Sequence, residues 1–358
     1  MTESKRKRIL SGVQPSGKLH LGNYFGAIKQ HIALQEEGEC FYFIADYHAL
    51  TTLGEAVRAD AEAAKDAKRK PRGPAEILRE SVRDVALDYL ALGLDPKKAS
   101  FYRQSDVPEV TELAWILSTV TGMGLLERAH SYKDKIAKGI APSVGLFTYP
   151  ILMAADILIV RSHMVPVGQD QVQHLEMTRD MAGYFNQTFG VDLFPLPAER
   201  LDVGAKVPGT DGQKMSKSDR WVEGKKLAPN RIEIFAEGKP LKKSVMSIVT
   251  DSTPPEAAKD PETRIPYQLY KLLATPEEAN ELAARYRAGG MGDGEAKQML
   301  LAKIDGYFGP FREKRKKLAA DESYVEDVLR DGAKRARAEA VKTMELVRDA
   351  TGFPKRPA

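Results

Sequence analysis

Short apolar runs alternate with segments of helical periodicity through the first half of the chain, and this alternation limits the possible folds more than any other feature. The run Cys40–Ala45 is continuously apolar, which is typical of a parallel strand buried on both faces. Further strands are predicted at 8–10, 99–103 and 165–168, with helices between them. Successive βαβ units of this kind predict an α/β fold with a Rossmann-like, doubly wound parallel sheet.

The pattern changes after Pro229, where no strand-like alternation remains. Helical periodicity covers residues 266–288, 294–319 and 322–349, so the last part of the chain is predicted to be all-helical. We therefore predict three parts: an α/β domain over residues 1–204, a linking loop over 205–228 and a helical domain over 229–358. The alanine- and lysine-rich segment 54–74 is predicted to be an exposed helix and loop inserted at the surface.

Composition restricts the class of protein. Cys40 is the only cysteine among 358 residues, which excludes an internal disulfide and a cysteine-based zinc cluster, and a cytoplasmic location is the simplest interpretation. No apolar stretch of about 18 residues is present, so we expect no membrane partner. The net charge of +4 permits an RNA partner without requiring one, and local positive patches are predicted at residues 68–72, 242–243 and 312–317.

The first strand leads into a turn that resembles two different phosphate-binding sequences. Residues 12–19 fit G-x-x-x-x-G-K, but Leu19 stands where a P-loop has Ser or Thr, and Pro15 lacks a backbone donor. The following residues, His20–Asn23, place a glycine at a predicted helix N-terminus, where backbone N–H groups favour anions. On its own this tetrapeptide is equally compatible with an ordinary helix start.

A second motif, Lys214-Met215-Ser216-Lys217-Ser218, lies in a glycine-containing loop far along the chain. Together with His20–Asn23 it resembles the paired HIGH and KMSKS motifs of the class I aminoacyl-tRNA synthetases. Asn23 replaces the second histidine of the first motif, as is usual in the tryptophan branch of that family. The residues Asp219–Lys226 that follow Ser218 depart from the expected shorter and more polar continuation, which leaves the dynamics of this loop open.

The resemblance implies roles for residues in both motifs. His20 and Asn23 would contact the phosphates of ATP, while Lys214 and Lys217 would stabilise charge on the pyrophosphate leaving group. Mg²⁺ would accompany ATP, with no metal held by the protein alone and no tightly bound organic cofactor. The remaining nucleotide contacts would come from Gln14, Pro15, Ser16, Gly22, Gly168, Gln169, Asp170, Val207, Met215, Ser216 and Ser218, with Lys133 or Lys135 as a further contact.

The segments 149–157 and 165–174 resemble the tryptophan branch more than the tyrosine branch. Met153 and Asp156 lie three residues apart on one predicted helix face, so an apolar wall would stand beside a lone acceptor. Indole N–H is a donor only, which suits a buried carboxylate and would discriminate against phenylalanine. Tyr149, His48 and Gln171 match other positions of the tryptophan pocket. His48, and His174 three residues after Gln171, are also compatible with purely structural roles.

The resemblance also implies ATP, L-tryptophan and tRNA(Trp) as partners, a homodimer, and a helical domain that meets the tRNA anticodon. Three alternatives remain: a tyrosine-specific synthetase, a synthetase-like protein that binds RNA without catalysis, and a P-loop nucleotidase or kinase. The first predicts ATP–pyrophosphate exchange with tyrosine, and the second predicts tRNA binding without exchange. The third predicts hydrolysis or γ-phosphate transfer that is independent of any amino acid and requires Lys18.

Overall fold

A computed structural model describes residues 6–129, 132–133, 143–201, 207–216, 221–222, 225–226 and 228–354, without the side chains of residues 170, 221–222 and 225–226. Within it the chain divides into two compact units. The first contains Met1–Ser16, His31–Asp202 and Asp321–Ala358, and the second contains Gly17–Gln30 and Val203–Ala320. These units divide the chain at different places from the predicted bounds 1–204, 205–228 and 229–358, which stay a prediction.

A five-stranded parallel sheet with the order β3-β2-β1-β4-β5 forms the centre of the first unit. Its strands are β1 (Arg8–Val13), β2 (Glu39–Ile44), β3 (Ala99–Arg103), β4 (Met164–Val167) and β5 (Ala198–Leu201). β2 is buried from Cys40 to Ile44, as its apolar sequence predicts. The chain reverses its direction of winding between β1 and β4, so the predicted doubly wound parallel sheet is confirmed.

The sequence prediction missed β5. Its residues, Ala198–Leu201, form an edge strand whose side chains are mostly exposed, and their sequence AERL has no apolar alternation. An edge strand that faces solvent needs few apolar side chains, because its backbone pairing with β4 supplies the hydrogen bonds. Hydrogen bonds to β4 therefore stabilise this strand, and the sequence does not show that β4 is its partner.

Helices of the first unit cover the sheet or extend from it. They are α3 (Asp46–Ala49), α4 (Leu53–Asp66), α5 (Pro74–Leu92), α6 (Glu109–Val120), α7 (Met123–Glu127), α8 (Val144–Ile159), α9 (Val172–Phe189) and α14 (Glu322–Thr351), with the helix α2 (Lys29–Leu34) crossing the boundary at residue 30. The predicted helices at 75–92, 109–121 and 143–157 are confirmed. The segment 54–74 contains α4 and an exposed turn, as predicted.

The last helix, α14, packs directly against β3. A Cβ atom at Gly332 would lie 1.9 Å from the carbonyl oxygen of Phe101, so only glycine permits this approach. Arg335 donates to the carbonyl oxygens of Pro96 and Ala99 at 2.7 and 3.0 Å, which ties the helix to the start of the strand. Periodicity groups this helix with the other C-terminal helices, but its contacts place it on the sheet.

The second unit contains the short helix α1 (Leu21–Asn23), a π-helical turn over Tyr24–Ile28, a hairpin of β6 (Trp221–Val222) and β7 (Lys225–Lys226), and four further helices. These helices are α10 (Gly238–Met246), α11 (Ile265–Lys271), α12 (Pro276–Ala288) and α13 (Asp293–Ala319). The predicted single helical segment 266–288 is two helices, because Thr275 caps the N-terminus of α12 and exchanges hydrogen bonds with Glu278. No helix in the described ranges is both long and apolar enough to cross a membrane.

Candidate active site

Asp156 lies at the centre of a buried polar network in the first unit. Its side chain is 3% exposed on the fourth turn of α8, after a run of mostly apolar residues. His48 Nε2, on α3, lies 3.0 Å from one carboxylate oxygen, and Gln104 Nε2 donates to both oxygens at 2.9 and 2.8 Å. An ionised carboxylate only accepts hydrogen bonds, so with Asp156 ionised the 3.0 Å contact requires a proton on His48 Nε2. Asp156 is therefore neither a helix N-cap nor a surface acid.

Gln104 joins this carboxylate to the backbone that carries His48. It follows β3, in the 3-10 turn Gln104–Asp106, and its Oε1 accepts from the backbone N–H groups of Tyr47 and His48 at 3.1 and 3.4 Å. Sequence reasoning missed Gln104, which no motif marks. Its one signal is its place directly after a buried strand, at the carboxyl edge where parallel-sheet proteins bind ligands.

The prediction that Asp156 is a lone acceptor is wrong. Two side-chain nitrogens, His48 Nε2 and Gln104 Nε2, already make three contacts with its two oxygens, which have about four lone-pair positions in total. Burial raises the pKa of the Asp156 carboxyl, while the hydrogen bonds from His48 and Gln104 oppose that rise. One acceptor position remains for a ligand. A ligand without a donor would leave this position empty, while His48 and Gln104 would still bind the carboxylate.

Aromatic side chains adjoin the network. The ring of Tyr149, two turns before Asp156 on α8, meets the ring of His48 edge-on at 6.3 Å. Its hydroxyl group is hydrogen-bonded to Nε2 of His174 on α9. The structure thus brings Tyr149, His48, His174 and Asp156 into one contiguous group, and it places the partly buried Met153 one turn before Asp156.

The carboxyl end of β4 carries the remaining predicted residues of this unit. Gly168 and Gln171 are partly buried, Gln169 is exposed, and the residues 169–171 form a 3-10 turn before α9. Near the end of β1, Gln14 is exposed, while Pro15 is buried and Ser16 donates its N–H to the Gln14 carbonyl at 2.9 Å. The roles of these residues in binding ATP or tryptophan stay predictions, and the side chain of Asp170 lies outside the described atoms.

The first motif forms a structured helix start in the second unit. His20 is the N-cap residue of α1, and its N–H donates to Oδ1 of Asn23 at 3.3 Å. The Leu21 N–H donates to the Ile232 carbonyl at 3.0 Å, within an antiparallel bridge that pairs His20 with Glu233. This pairing fixes the backbone of the motif against residues 232–233.

The two motifs touch within the second unit. A Cβ atom at Gly22 would lie 3.3 Å from Cβ of Met215 and 3.0 Å from the His20 ring. Met215 is buried, and its N–H donates to the carbonyl of Val207 at 3.2 Å, whereas the side chain of Lys214 is exposed. The methionine therefore acts as an anchor, and Lys214 is available to a ligand.

Asn230 fixes the loop that carries the second motif. Its Oδ1 accepts from the Ser216 N–H at 3.2 Å, and its Nδ2 donates to Lys214 O and Asp211 Oδ1 at 3.2 and 3.0 Å. Gly209 packs so closely on Asn230 that a Cβ atom would lie 2.5 Å from Nδ2. Sequence reasoning missed Asn230, because this residue lies two positions beyond the predicted linking loop 205–228.

Some predicted residues are outside the described ranges. These are Lys135, Lys217 and Ser218, so their roles stay predictions, while the backbone of Lys133 donates to the carbonyl of Ala129 at 3.1 Å. Lys18, which a P-loop would direct at phosphates, is exposed and lies 3.9 Å from Glu233.

Comparison with known proteins agrees with this arrangement. Residues 2–309 match the family model described as tRNA synthetases class I (W and Y). The chain is 53% identical to the tryptophan–tRNA ligase of Rhodopirellula baltica, over 97% of this chain and 99% of the relative, and 52% identical to that of Fusobacterium nucleatum, over 97% and 98%.

A solved structure shows the same fold. The tryptophanyl-tRNA synthetase of Campylobacter jejuni complexed with ADP and tryptophan superimposes with a TM-score of 0.84 at 45% identity, covering 97% of this chain and 100% of that one. The chain therefore belongs to the class I tRNA synthetases for tryptophan and tyrosine, among the bacterial tryptophan–tRNA ligases.

Proposed function

We propose that this chain activates L-tryptophan with ATP to give tryptophanyl-adenylate and pyrophosphate, and then transfers tryptophan to tRNA(Trp) with release of AMP. The observation that carries the proposal is the buried Asp156 carboxylate, held by His48 and Gln104 with one acceptor position left. A relative of 45% identity is known as a complex with ADP and tryptophan, which supports the same pair of ligands here.

Asp156 accepts the indole N–H in this proposal. The aromatic rings of Tyr149 and His48 and the side chain of Met153 form the apolar surroundings, and Gln171 contributes from the turn before α9. Because two protein groups also bind Asp156, loss of the indole contact alone is worth about 1.5–3 kcal/mol, or roughly 10- to 150-fold against phenylalanine. Further discrimination comes from the shape of the pocket.

The adenylate forms when the tryptophan carboxylate attacks the α-phosphorus and pyrophosphate leaves. The protein needs no nucleophile of its own for this step, because positioning and charge stabilisation accomplish it. We propose that His20 and Asn23 bind the phosphates and that Lys214 and Lys217 stabilise the leaving pyrophosphate. Mg²⁺ enters as part of the substrate, bound by the phosphate oxygens of ATP.

Several broader assignments belong to the same proposal. We infer that the enzyme acts in the cytoplasm as a homodimer and that helices of the region 229–358 meet the anticodon. The buried, unpaired Cys40 agrees with a reducing compartment. Sedimentation equilibrium of the purified protein tests the dimer, with a mass twice the monomer's 39.6 kDa expected.

Transfer of labelled tryptophan to tRNA(Trp) tests the function directly. Purified protein with ATP and Mg²⁺ should charge tRNA(Trp) with tryptophan, and charging with tyrosine instead would contradict the assigned role of Asp156. Lys217→Ala should lower the rate of adenylate formation by about 100-fold with less than a threefold change in tryptophan KM, because leaving-group stabilisation acts in the transition state. Retention of tRNA binding without any ATP–pyrophosphate exchange would favour a non-catalytic protein.

A further inference from the structure

Helix α4 ends in a tight turn whose backbone conformation is unusual for its residue. The Arg69 N–H donates to the Ala64 carbonyl at 2.9 Å and the Lys68 N–H donates to the Lys65 carbonyl at 3.2 Å, which is the Schellman pattern. Lys68 therefore occupies the left-handed position, with φ of +51°, where glycine is the favoured residue. A lysine there is strained by about 1 kcal/mol relative to glycine.

A buried carboxylate holds this turn in one conformation. Asp60, whose side chain is 3% exposed, accepts from the guanidinium of Arg69 at 2.5 and 3.2 Å. It also accepts from the backbone N–H and two guanidinium nitrogens of Arg72, at 2.8, 2.9 and 2.6 Å. These hydrogen bonds hold the pKa of the Asp60 carboxyl well below its usual range, so the clamp stays charged at neutral pH.

The clamped turn presents positive charge to solvent. Lys65, Lys68 and Lys70 are exposed, and among the described residues none of them has a carboxylate oxygen within 4.0 Å. Two exposed acids lie beside these lysines: Glu62 precedes the turn on α4, and Asp66 lies within it. The lysines differ from an ordinary solvated charge run in that the backbone bearing them is rigid and one of them occupies a strained position.

The order of the elements indicates on which side of the sheet the turn lies. α3, which carries His48, follows β2 at this edge, and α4 starts four residues after α3 ends. The 14 residues of α4 span about 21 Å. α5 then runs back to the opposite edge to reach β3, so its first residue, Pro74, and the turn before it belong to the edge that carries His48.

We propose that this basic turn, residues 65–72, binds the phosphate backbone of tRNA close to its 3′ end. The proposal rests on the proposed function, because the 3′ end must reach the tryptophan carboxyl group beside His48 during charging. A rigid array of lysines suits a polyanion, since fewer side-chain and backbone motions are lost on binding. The proposal gives the segment 54–74 a function separate from the two motifs and from the group around Asp156.

Affinity for tRNA measured against salt tests the proposal without catalysis. The variants are Lys68→Gly and Lys70→Ala, with Lys97→Ala as the matched control, an exposed lysine that precedes β3 at the opposite edge of the sheet. At 0.1 M salt each turn variant should weaken binding of unacylated tRNA(Trp) by about 5- to 8-fold and reduce the salt slope by about one. Lys97→Ala should change neither quantity by more than twofold.

Thermal unfolding separates binding from folding. Lys68→Gly relieves the left-handed strain, so its Tm should equal or exceed that of the unchanged protein while its tRNA affinity falls. If Lys68 only stabilised the fold, Lys68→Gly would lower the Tm and the tRNA affinity together. A Tm lowered in proportion to the affinity would overturn the proposal.

Exchange and charging assays on a triple variant, Lys65→Ala with Lys68→Gly and Lys70→Ala, complete the test. Tryptophan-dependent ATP–pyrophosphate exchange should keep its rate, whereas kcat/KM for tRNA should fall by more than 50-fold. Unchanged tRNA affinity in the triple variant, or an equal loss in Lys97→Ala, would overturn the proposed surface. Absence of exchange in the unchanged protein would instead contradict the proposed function, and the binding measurement would still decide whether the turn contacts tRNA.

Discussion

Replacement of Gln104 by glutamate tests the network around Asp156 at one atom. The substitution keeps the size of the side chain and the oxygen that accepts from the Tyr47 N–H at 3.1 Å. It replaces the amide nitrogen, which donates to the two Asp156 oxygens at 2.9 and 2.8 Å, by a second oxygen. Two carboxyl groups would then face each other in a buried site, where both cannot stay ionised at low cost.

The expected loss follows from the hydrogen bonds removed. A hydrogen bond to a charged group contributes about 1.5–3 kcal/mol, so misplacing Asp156 by loss of its Gln104 donor should raise the tryptophan KM roughly 10- to 150-fold at pH 8. Repulsion raises the pKa of the introduced carboxyl. At pH 6 the protonated form donates to Asp156 again, so the KM should return to within about fivefold of the unchanged protein.

Tryptophan titrations in the ATP–pyrophosphate exchange assay at pH 6 and pH 8 measure both effects. Gln187→Glu, an exposed position on α9, introduces the same charge away from the network and serves as the control. A KM within twofold of the unchanged protein at pH 8 would refute the role given to Gln104. Equal losses in the two variants, or a loss independent of pH, would refute the electrostatic reasoning.

Three further predictions concern close packing and burial. Gly22→Val should push the two motifs apart and lower the exchange rate by about 100-fold while tryptophan binding, measured by calorimetry, stays within threefold; an unchanged rate would contradict this. Burial lowers the pKa of His31 to about 4, below its unfolded value of 6.5. The free energy of unfolding should therefore be highest above pH 6.5 and should fall by about 2–3 kcal/mol as the pH decreases toward 4. Urea unfolding should show this pH dependence in the unchanged protein and not in His31→Gln. Gly332→Ala should destabilise the protein by about 3 kcal/mol through its clash with Phe101, whereas Gly309→Ala, with open space around it, should leave or raise the Tm.

The sheet was largely predictable because its central strands are apolar on both faces. β2 and β3 were predicted within a residue of their observed bounds, since a continuous apolar run flanked by turns has few other solutions. β5 was not, because an exposed edge strand carries no such pattern. The placement of α14 on β3 was also missed, since periodicity shows that a helix has a buried face but not which surface covers it.

Site residues that match a family motif were predictable from the sequence. Residues whose role depends on contacts between distant segments were not. Asp156, His48 and Tyr149 do lie in one group, as the resemblance suggested. Gln104 and Asn230 emerged only from the fold, because each connects segments that are distant in the sequence. For the same reason the sequence suggested an isolated carboxylate at Asp156, when its partners come from two other elements.

ATP–pyrophosphate exchange by the purified protein with Mg²⁺ and each of the twenty amino acids in turn tests the central claim most directly, because it examines the reaction and the substrate together. The account predicts exchange with tryptophan and at most a few per cent of that rate with any other amino acid. Exchange driven by tyrosine would contradict the assignment of Asp156 as the indole acceptor, and silence with all twenty would contradict catalysis by this chain.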